Sequence, residues 1–150
     1  MDEADREFRR NLEASLRGRK EPNPAVDAVA YKVIGAAIEV HSLLGPGFLE
    51  NAYEEALAIE LDTRGIRHAR QHLVLVEYKG TVVGEYRLDF LVEGTLVVEL
   101  KAVSELTNIH RAQLRAYLAA TRHELGLILN FNVSRLKDNG IRRVVRTGAF

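Results

Sequence analysis

The chain of 150 residues contains no cysteine, which excludes disulfides and thiolate metal sites. No apolar run reaches the ~18 residues that a membrane helix needs. The opening Met1-Asp2-Glu3-Ala4-Asp5 is acidic and lacks a signal-peptide pattern. These absences give the expectation of a cytoplasmic protein with no membrane association. There is no net charge either: 21 basic and 21 acidic residues balance, which argues against strong non-specific nucleic-acid binding. Internal repeats and low-complexity segments are absent. What remains is a length that fits one compact domain and an apolar share of 47%, enough for a hydrophobic core without staples.

The charge is unevenly spread. Residues 25–130 hold 14 acids and 10 bases, whereas residues 131–150 hold five bases (Arg135, Lys137, Arg142, Arg143, Arg146) and one acid, Asp138. This basic tail reads equally well as a solvated strand or as a phosphate-contacting surface.

Residues 1–24 form a charged N-terminal arm that ends in Lys20-Glu21-Pro22-Asn23-Pro24. The domain proper is expected over 25–150. Asn23 and Pro24 suit an N-cap and the first position of a helix over about Ala25–Leu44, with Val29, Ile34, Ala37, Ile38 and His41 near helical spacing. Gly45-Pro46-Gly47 interrupts it. A second helix follows over about Leu49–Arg64, with Gly65 as its C-cap. The period then changes to two. Strands are expected at His72–Tyr78, Thr81–Leu91 and Thr95–Val103, then a helix at Asn108–Ala120 and strands at Gly126–Phe131 and Ile141–Arg146. The order α-α-β-β-β-α-β-β describes an α/β (α+β) fold: a mixed central sheet of about five strands flanked by helices.

The informative stretch runs from Glu85 to Lys101. Tyr86, Leu88 and Phe90 alternate with Glu85, Arg87 and Asp89; Leu96, Val98 and Leu100 alternate with Val97, Glu99 and Lys101. A two-residue loop at Glu93-Gly94 would set apolar against polar throughout. A three-residue loop Val92-Glu93-Gly94, with Gly94 left-handed, pairs Leu88 with Val98, Phe90 with Leu96 and Asp89 with Val97. Asp89, Glu99 and Lys101 then share one face. Two adjacent carboxylates repel unless a cation lies between them, and Mg²⁺ takes such oxygen ligands. A lysine beside that ion suits phosphodiester hydrolysis. Taken alone, the stretch fits a cross-strand Asp/Glu–Lys ion pair on an exposed face at least as well.

Two further segments shift the balance. Gly47-Phe-Leu-Glu50-Asn-Ala-Tyr53, preceded by His41-Ser-Leu-Leu-Gly45-Pro46, resembles the signature of the GxxExxY protein family, a branch of the PD-(D/E)XK nuclease-like superfamily. Gln113-Leu-Arg-Ala-Tyr117 is similar to the Gln-x-x-x-Tyr motif that follows the catalytic hairpin in exonuclease-type branches. The segments stand in the order that the resemblance requires, across about residues 26–147.

The resemblance implies a restriction-endonuclease-like core and a Mg²⁺- or Mn²⁺-dependent nuclease, with DNA as the expected nucleic acid. It implies Asp89 and Glu99 as metal ligands, Lys101 as the catalytic lysine, the Leu100 carbonyl as a further ligand, and Glu50 as the helix carboxylate that approaches the same ion. Gln113 and Tyr117, one helical turn apart, would orient the lysine or a phosphate. Leu88 stands where the family's name-giving proline would be. Beside this stands a second reading: a non-catalytic nucleic-acid- or protein-binding module that keeps the fold. Neutral charge favours it, unless a homodimer or a protein partner supplies basic surface.

The remaining candidates have plainer readings. Gly45-Pro46-Gly47 is a tight helix–helix connection rather than a phosphate loop. Tyr53 reads as a core aromatic with a satisfied hydroxyl. His41 fits either an interhelical histidine or a group near Glu50. His110 leans to the Gln113 face as a substrate contact. Arg111 and Arg115 are candidates for phosphate-backbone contacts. Arg64, Arg67 and Arg70 read as a solvated turn.

Overall fold

The computed structural model describes residues 22–146, together with Glu3, Arg6 and Arg10. The rest of the expected arm up to residue 21 lies outside the described residues.

Helix α1 (Pro24–Leu44) begins as its sequence dictates: the Asn23 side chain accepts a hydrogen bond from the Ala25 N–H at 2.9 Å, and Pro24 opens the helix. Its buried stripe is Val26, Ala30, Val33, Ala37, Val40 and His41. The expected stripe was rotated from this, and Val29, Ile34 and Ile38 lie only at its margin. Helix α2 (Glu50–Thr63) ends in a Schellman motif. Gly65, at φ 68°, lets the Ile66 N–H reach the Leu61 carbonyl at 2.9 Å and the Gly65 N–H reach Asp62 at 3.0 Å. Ile66 and Leu61 are both buried in one cluster, the apolar contact that completes such a cap.

Strands β1 (His68–Tyr78), β2 (Thr81–Val92) and β3 (Leu96–Lys101) precede helix α3 (Asn108–Thr121) and strand β4 (Leu125–Asn130). A one-turn helix α4 (Leu136–Asn139), too short to leave a periodic signal, then precedes β5 (Ile141–Val145). The five strands form one sheet in the order β1-β2-β3-β4-β5. Only β3 and β4 are parallel, joined by α3 as a crossover; the other pairs are antiparallel. The mixed five-stranded sheet with flanking helices is as expected. Every residue of β4 is buried, in keeping with its apolar sequence.

The sheet has a core on each face. α1 and α2 cover one, burying Phe90, Val92, Leu96, Val98, Leu100, Leu127 and Leu129. α3 covers the other through Leu114, Tyr117 and Leu118, which pack on Leu91, Val97 and Ile128. Gly126 lets α3 come close: a Cβ there would lie 2.8 Å from the Leu114 side chain. Apolar residues therefore occupy both faces of the β2–β3 hairpin, not one face as its alternation suggested. Leu88 joins the α3-side cluster while Phe90 joins the other. β2 before Phe90 is paired with β1 alone, and a two-stranded ribbon twists strongly, carrying Leu88 under α3. Among the described residues, no helix is long and apolar enough to cross a membrane.

A carboxylate-lined candidate active site

The site forms where β2 and β3 part. Their ladder pairs Val92 with Leu96, Leu91 with Val97 and Phe90 with Val98. The loop is thus Glu93-Gly94-Thr95, closed by the Thr95 N–H on the Val92 carbonyl at 3.0 Å, with Glu93 at φ 51° and Gly94 at φ 67°. The odd loop length and the left-handed Gly94 are as read from the sequence. The register is not: Phe90 faces Val98 rather than Leu96. The shift is two residues, so parity survives. Two adjacent positive φ values match strand twist, and the later turn adds the buried Val92–Leu96 pair.

One step beyond Phe90–Val98, the same register sets Asp89 opposite Glu99. Here carboxylates take the place of ladder acceptors. The Asp89 N–H donates to Glu99 Oε1 at 3.2 Å, and the Leu100 N–H donates to Asp89 Oδ2 at 2.8 Å. Sheet residues thereby hold both acids at fixed positions. Glu99 is buried, and the cost shows in its acidity. Burial first, then the negative charge of Asp89, pushes its carboxyl up to about 8; the Asp89 N–H and the Lys101 ammonium pull the other way. Glu50 opens α2 and reaches the same electrostatic neighbourhood. Its carboxyl is raised by desolvation, then by Asp89, with Lys101 opposing. Glu50, Asp89, Glu99 and Lys101 are therefore brought together from α2, β2 and β3. Among the described residues, no three acidic or histidine side chains are yet converged as ligands of one ion.

α3 completes one wall. Tyr117 is 8% exposed and faces the two acids. Desolvation, then Glu99, raises its hydroxyl's pKa, against a hydrogen bond with Gln113. Gln113 thus meets Tyr117 as their spacing suggested. The His110 Nδ1 accepts the Thr107 N–H at 3.0 Å and caps its own helix, so Nε2 is the ring nitrogen left to meet a substrate. Arg111 and Arg115 are exposed on α3.

The Gly47…Glu50…Tyr53 segment has a mechanical logic. Tyr53 is fully buried, stacked on Phe131 with ring centroids 4.6 Å apart. Its hydroxyl donates to the Gly45 carbonyl at 2.6 Å and accepts the Phe48 N–H at 3.2 Å. Gly45 at φ 67° and Gly47 at φ 109° let the connection turn this tightly. Tyr53 thus fixes the loop from which Glu50 enters the site. Tyr53→Phe is expected to lower stability by about 1–3 kcal/mol, the cost of stripping partners from buried polar groups. Thermal unfolding checks this, and an unchanged melting temperature would contradict it. His41, buried, directs its Nε2 at the Phe131 and Val133 carbonyls, 3.1 and 2.9 Å away. It is thus a satisfied core histidine, but one that ties α1 to the segment after β4 rather than to another helix.

Sequence reasoning missed three residues here. Gln71 joins Asp89 Oδ1, 3.3 Å away, to Glu54 of α2. It sits at φ 49° inside β1, a strained conformation for glutamine, in the gap between the Arg70–Phe90 and His72–Leu88 pairs. Asn130, 2% exposed at the end of β4, grips Val103 through both backbone groups, at 3.0 and 2.9 Å, and so fixes the chain just after Lys101. Tyr86 lies against Tyr117 at 5.6 Å. Arg64, Arg67 and Arg70 are ion-paired with Glu60, Glu93 and Glu54/Glu55. A concavity of about 1210 Å³ between α1 and the Glu93–Thr95 turn contains none of the candidate residues.

The sequence profile of the PD-(D/E)XK nuclease superfamily matches residues 27–144. No curated protein matches the chain. Among solved structures, an alkaline exonuclease from Laribacter hongkongensis is similar at 16% identity and a TM-score of 0.36, over 59% of this chain and 52% of that one. The chain thus spans about half the length of that exonuclease. The profile match takes in α2, the parted β2–β3 hairpin and α3, and by it the chain belongs to the PD-(D/E)XK nuclease superfamily.

Proposed function

We propose that this protein is a cytoplasmic, Mg²⁺- or Mn²⁺-dependent nuclease of the GxxExxY branch, hydrolysing phosphodiester bonds with DNA as its substrate. The observation that carries this reading is the pair Asp89 and Glu99 held at one fork of the sheet by backbone N–H groups, with Lys101 acting on Glu99 and both Asp89 and Lys101 acting on Glu50. The spacing of Gly47, Glu50 and Tyr53 supports the branch.

By donor type the set suits a hard divalent ion, around which the carboxylates would have to draw together. It is all oxygen: the carboxylates of Asp89, Glu99 and Glu50 and the Leu100 carbonyl. Burial, then Asp89, pushes the Glu99 carboxyl up to about 8, so Lys101 alone does not offset the cost of ionising it. Held by these residues, a divalent ion would supply compensating charge and the Lewis acidity that phosphodiester hydrolysis needs. The protein supplies the rest. Asp89 and Glu99 are anchored by backbone N–H groups, so their carboxylates need little reorganisation. Lys101, half-buried beside them, offers an ammonium to a phosphate oxygen or to the attacking water. Gln113 and Tyr117 bound the space above the acids; Arg111 and Arg115 offer charge to the flanking backbone.

The alternative, a binding module that has kept the fold, is favoured by the zero net charge. Incubation of the wild type with DNA and Mg²⁺ or Mn²⁺ separates the two. Cleavage that stops on chelation is expected. Binding without cleavage under either metal would favour the alternative.

A further inference from the structure

Part of the basic charge that a duplex would need is committed elsewhere. A protein gains affinity for double-stranded DNA chiefly by neutralising phosphates, one cation each. Arg64, Arg67, Arg70, Arg135 and Arg143 are ion-paired with Glu60, Glu93, Glu54 and Glu55, Asp138 and Asp27. Near the site, Lys101, Arg87, Arg111 and Arg115 have no ion-pair partner among the described residues. The Arg87 guanidinium already donates to the Gln71 carbonyl at 3.0 Å. Against them stand Glu50, Glu54, Asp89 and Glu99. This balance is poor for tracking two phosphate strands.

The rim of the site offers something else. Phe48, 52% exposed, immediately precedes the Leu49-Glu50 entry to α2. One edge of its ring is held by Tyr53 at 6.2 Å and 71°, and Tyr53 is itself locked on Phe131. Tyr86, 46% exposed, lies across the fork against Tyr117, which faces Glu99 and Asp89. Two backed and exposed aromatic rings thus lie close in the chain to the acids: Phe48 two residues before Glu50, and Tyr86 three residues before Asp89 and packed on Tyr117. Aromatic platforms bind unpaired bases, whose faces are accessible only outside a duplex, and they do so without spending charge.

We propose that the site takes single-stranded polynucleotide, its bases stacked on Phe48 and Tyr86, in preference to intact duplex. This rests on the nuclease reading for its chemistry, but its binding claim is tested separately. The backbone would pass Lys101, Arg111 and Arg115 while the flanking bases rest on the two rings. A stacking contact of this kind is lost about tenfold in affinity on truncation.

The test is fluorescence anisotropy at about physiological salt, with and without Mg²⁺, using end-labelled single-stranded DNA, single-stranded RNA of the same sequence and the blunt DNA duplex. The wild type should bind a single strand at least about tenfold tighter than duplex, and the DNA and RNA arms show which sugar is preferred. Phe48→Ala and Tyr86→Ala should each weaken single-strand binding about tenfold. Phe48→Trp, which keeps a ring, should retain it. Tyr31→Ala removes an aromatic that is 81% exposed on α1 and is neither of the two proposed platforms, and should change nothing. Circular dichroism of each variant separates lost binding from lost fold. Duplex bound as tightly as single strand, or single-strand binding indifferent to both rings, overturns the proposal. So does the absence of binding to any of the three probes, which would assign the rim to a protein partner. Cleavage is read in parallel: single-strand binding without metal-dependent cleavage refutes the nuclease reading alone, whereas equal cleavage of duplex and single strand refutes the preference alone.

Discussion

Asp89→Asn should abolish metal-dependent cleavage while leaving the protein folded. The amide oxygen can still accept the Leu100 N–H that Asp89 Oδ2 accepts at 2.8 Å, so the fork between β2 and β3 keeps its hydrogen bond. What disappears is one of the negative charges proposed to hold the ion. Loss of one preorganised electrostatic partner typically costs a hundred- to a thousandfold in rate, and a lost ligand weakens the metal as well, so a fall of at least about 10³ is expected. Lys101→Ala should cost a similar factor by a different route. It leaves both acids in place and removes a local cation whose charge would repel a metal ion bound to them. Metal affinity should therefore survive Lys101→Ala, or improve, while cleavage is lost. A single-turnover assay at saturating metal separates the two variants. Full activity in Asp89→Asn would remove that residue from the site.

The second large effect concerns pH. The Glu99 carboxyl ionises at an ordinary 4.5 in the unfolded chain and at about 8 in the folded one. Between those values the folded state binds the extra proton, so stability falls as pH rises through the window. The full shift corresponds to a few kcal/mol. Glu50, also raised, contributes with the same sign. His123, lowered by burial, works the other way at the acid end, costing stability as pH falls below its unfolded value of about 6.5. Denaturant unfolding of metal-free protein from pH 5 to 9 should thus show a declining limb above about pH 6. Glu99→Gln should flatten that limb and make the protein more stable than wild type at pH 9. Millimolar Mg²⁺ or Mn²⁺ should also restore the wild type at high pH, by binding the folded state alone. A limb that persists in Glu99→Gln would place the titrating group elsewhere.

Much of this was legible in the sequence, because period-two alternation and an odd loop were enough to put Asp89, Glu99 and Lys101 on one side of a hairpin. Helix boundaries followed from Asn23, Pro24 and Gly65, whose local preferences agree with the fold. The register was off by two because parity alone cannot distinguish neighbouring odd loops; the positive φ of both Glu93 and Gly94 decides it. Leu88 was misplaced because a strand pattern cannot show where a neighbouring strand ends and twist takes over. Gln71 was invisible, lying just before the apolar run that marked β1, where nothing announces a left-handed glutamine. Asn130 was hidden at the end of an apolar strand, and its role depends on Val103, far away in sequence. Tyr53 was readable as a core aromatic, but its hold on the Gly45 carbonyl needed coordinates. The capping role of His110 Nδ1 was not legible, because helical spacing shows which face a side chain shares, not what its nitrogen bonds.

The central claim is that the fork is a metal-dependent catalytic site. Calorimetric titration of Mg²⁺ and Mn²⁺ into the wild type, Asp89→Ala and Lys101→Ala, each paired with a cleavage assay on single- and double-stranded DNA, tests it most directly. The account predicts binding by the wild type, loss of binding in Asp89→Ala, retained binding in Lys101→Ala, and cleavage by the wild type alone. A wild type that binds neither ion at millimolar concentration would contradict it and leave a nuclease fold kept for recognition or assembly.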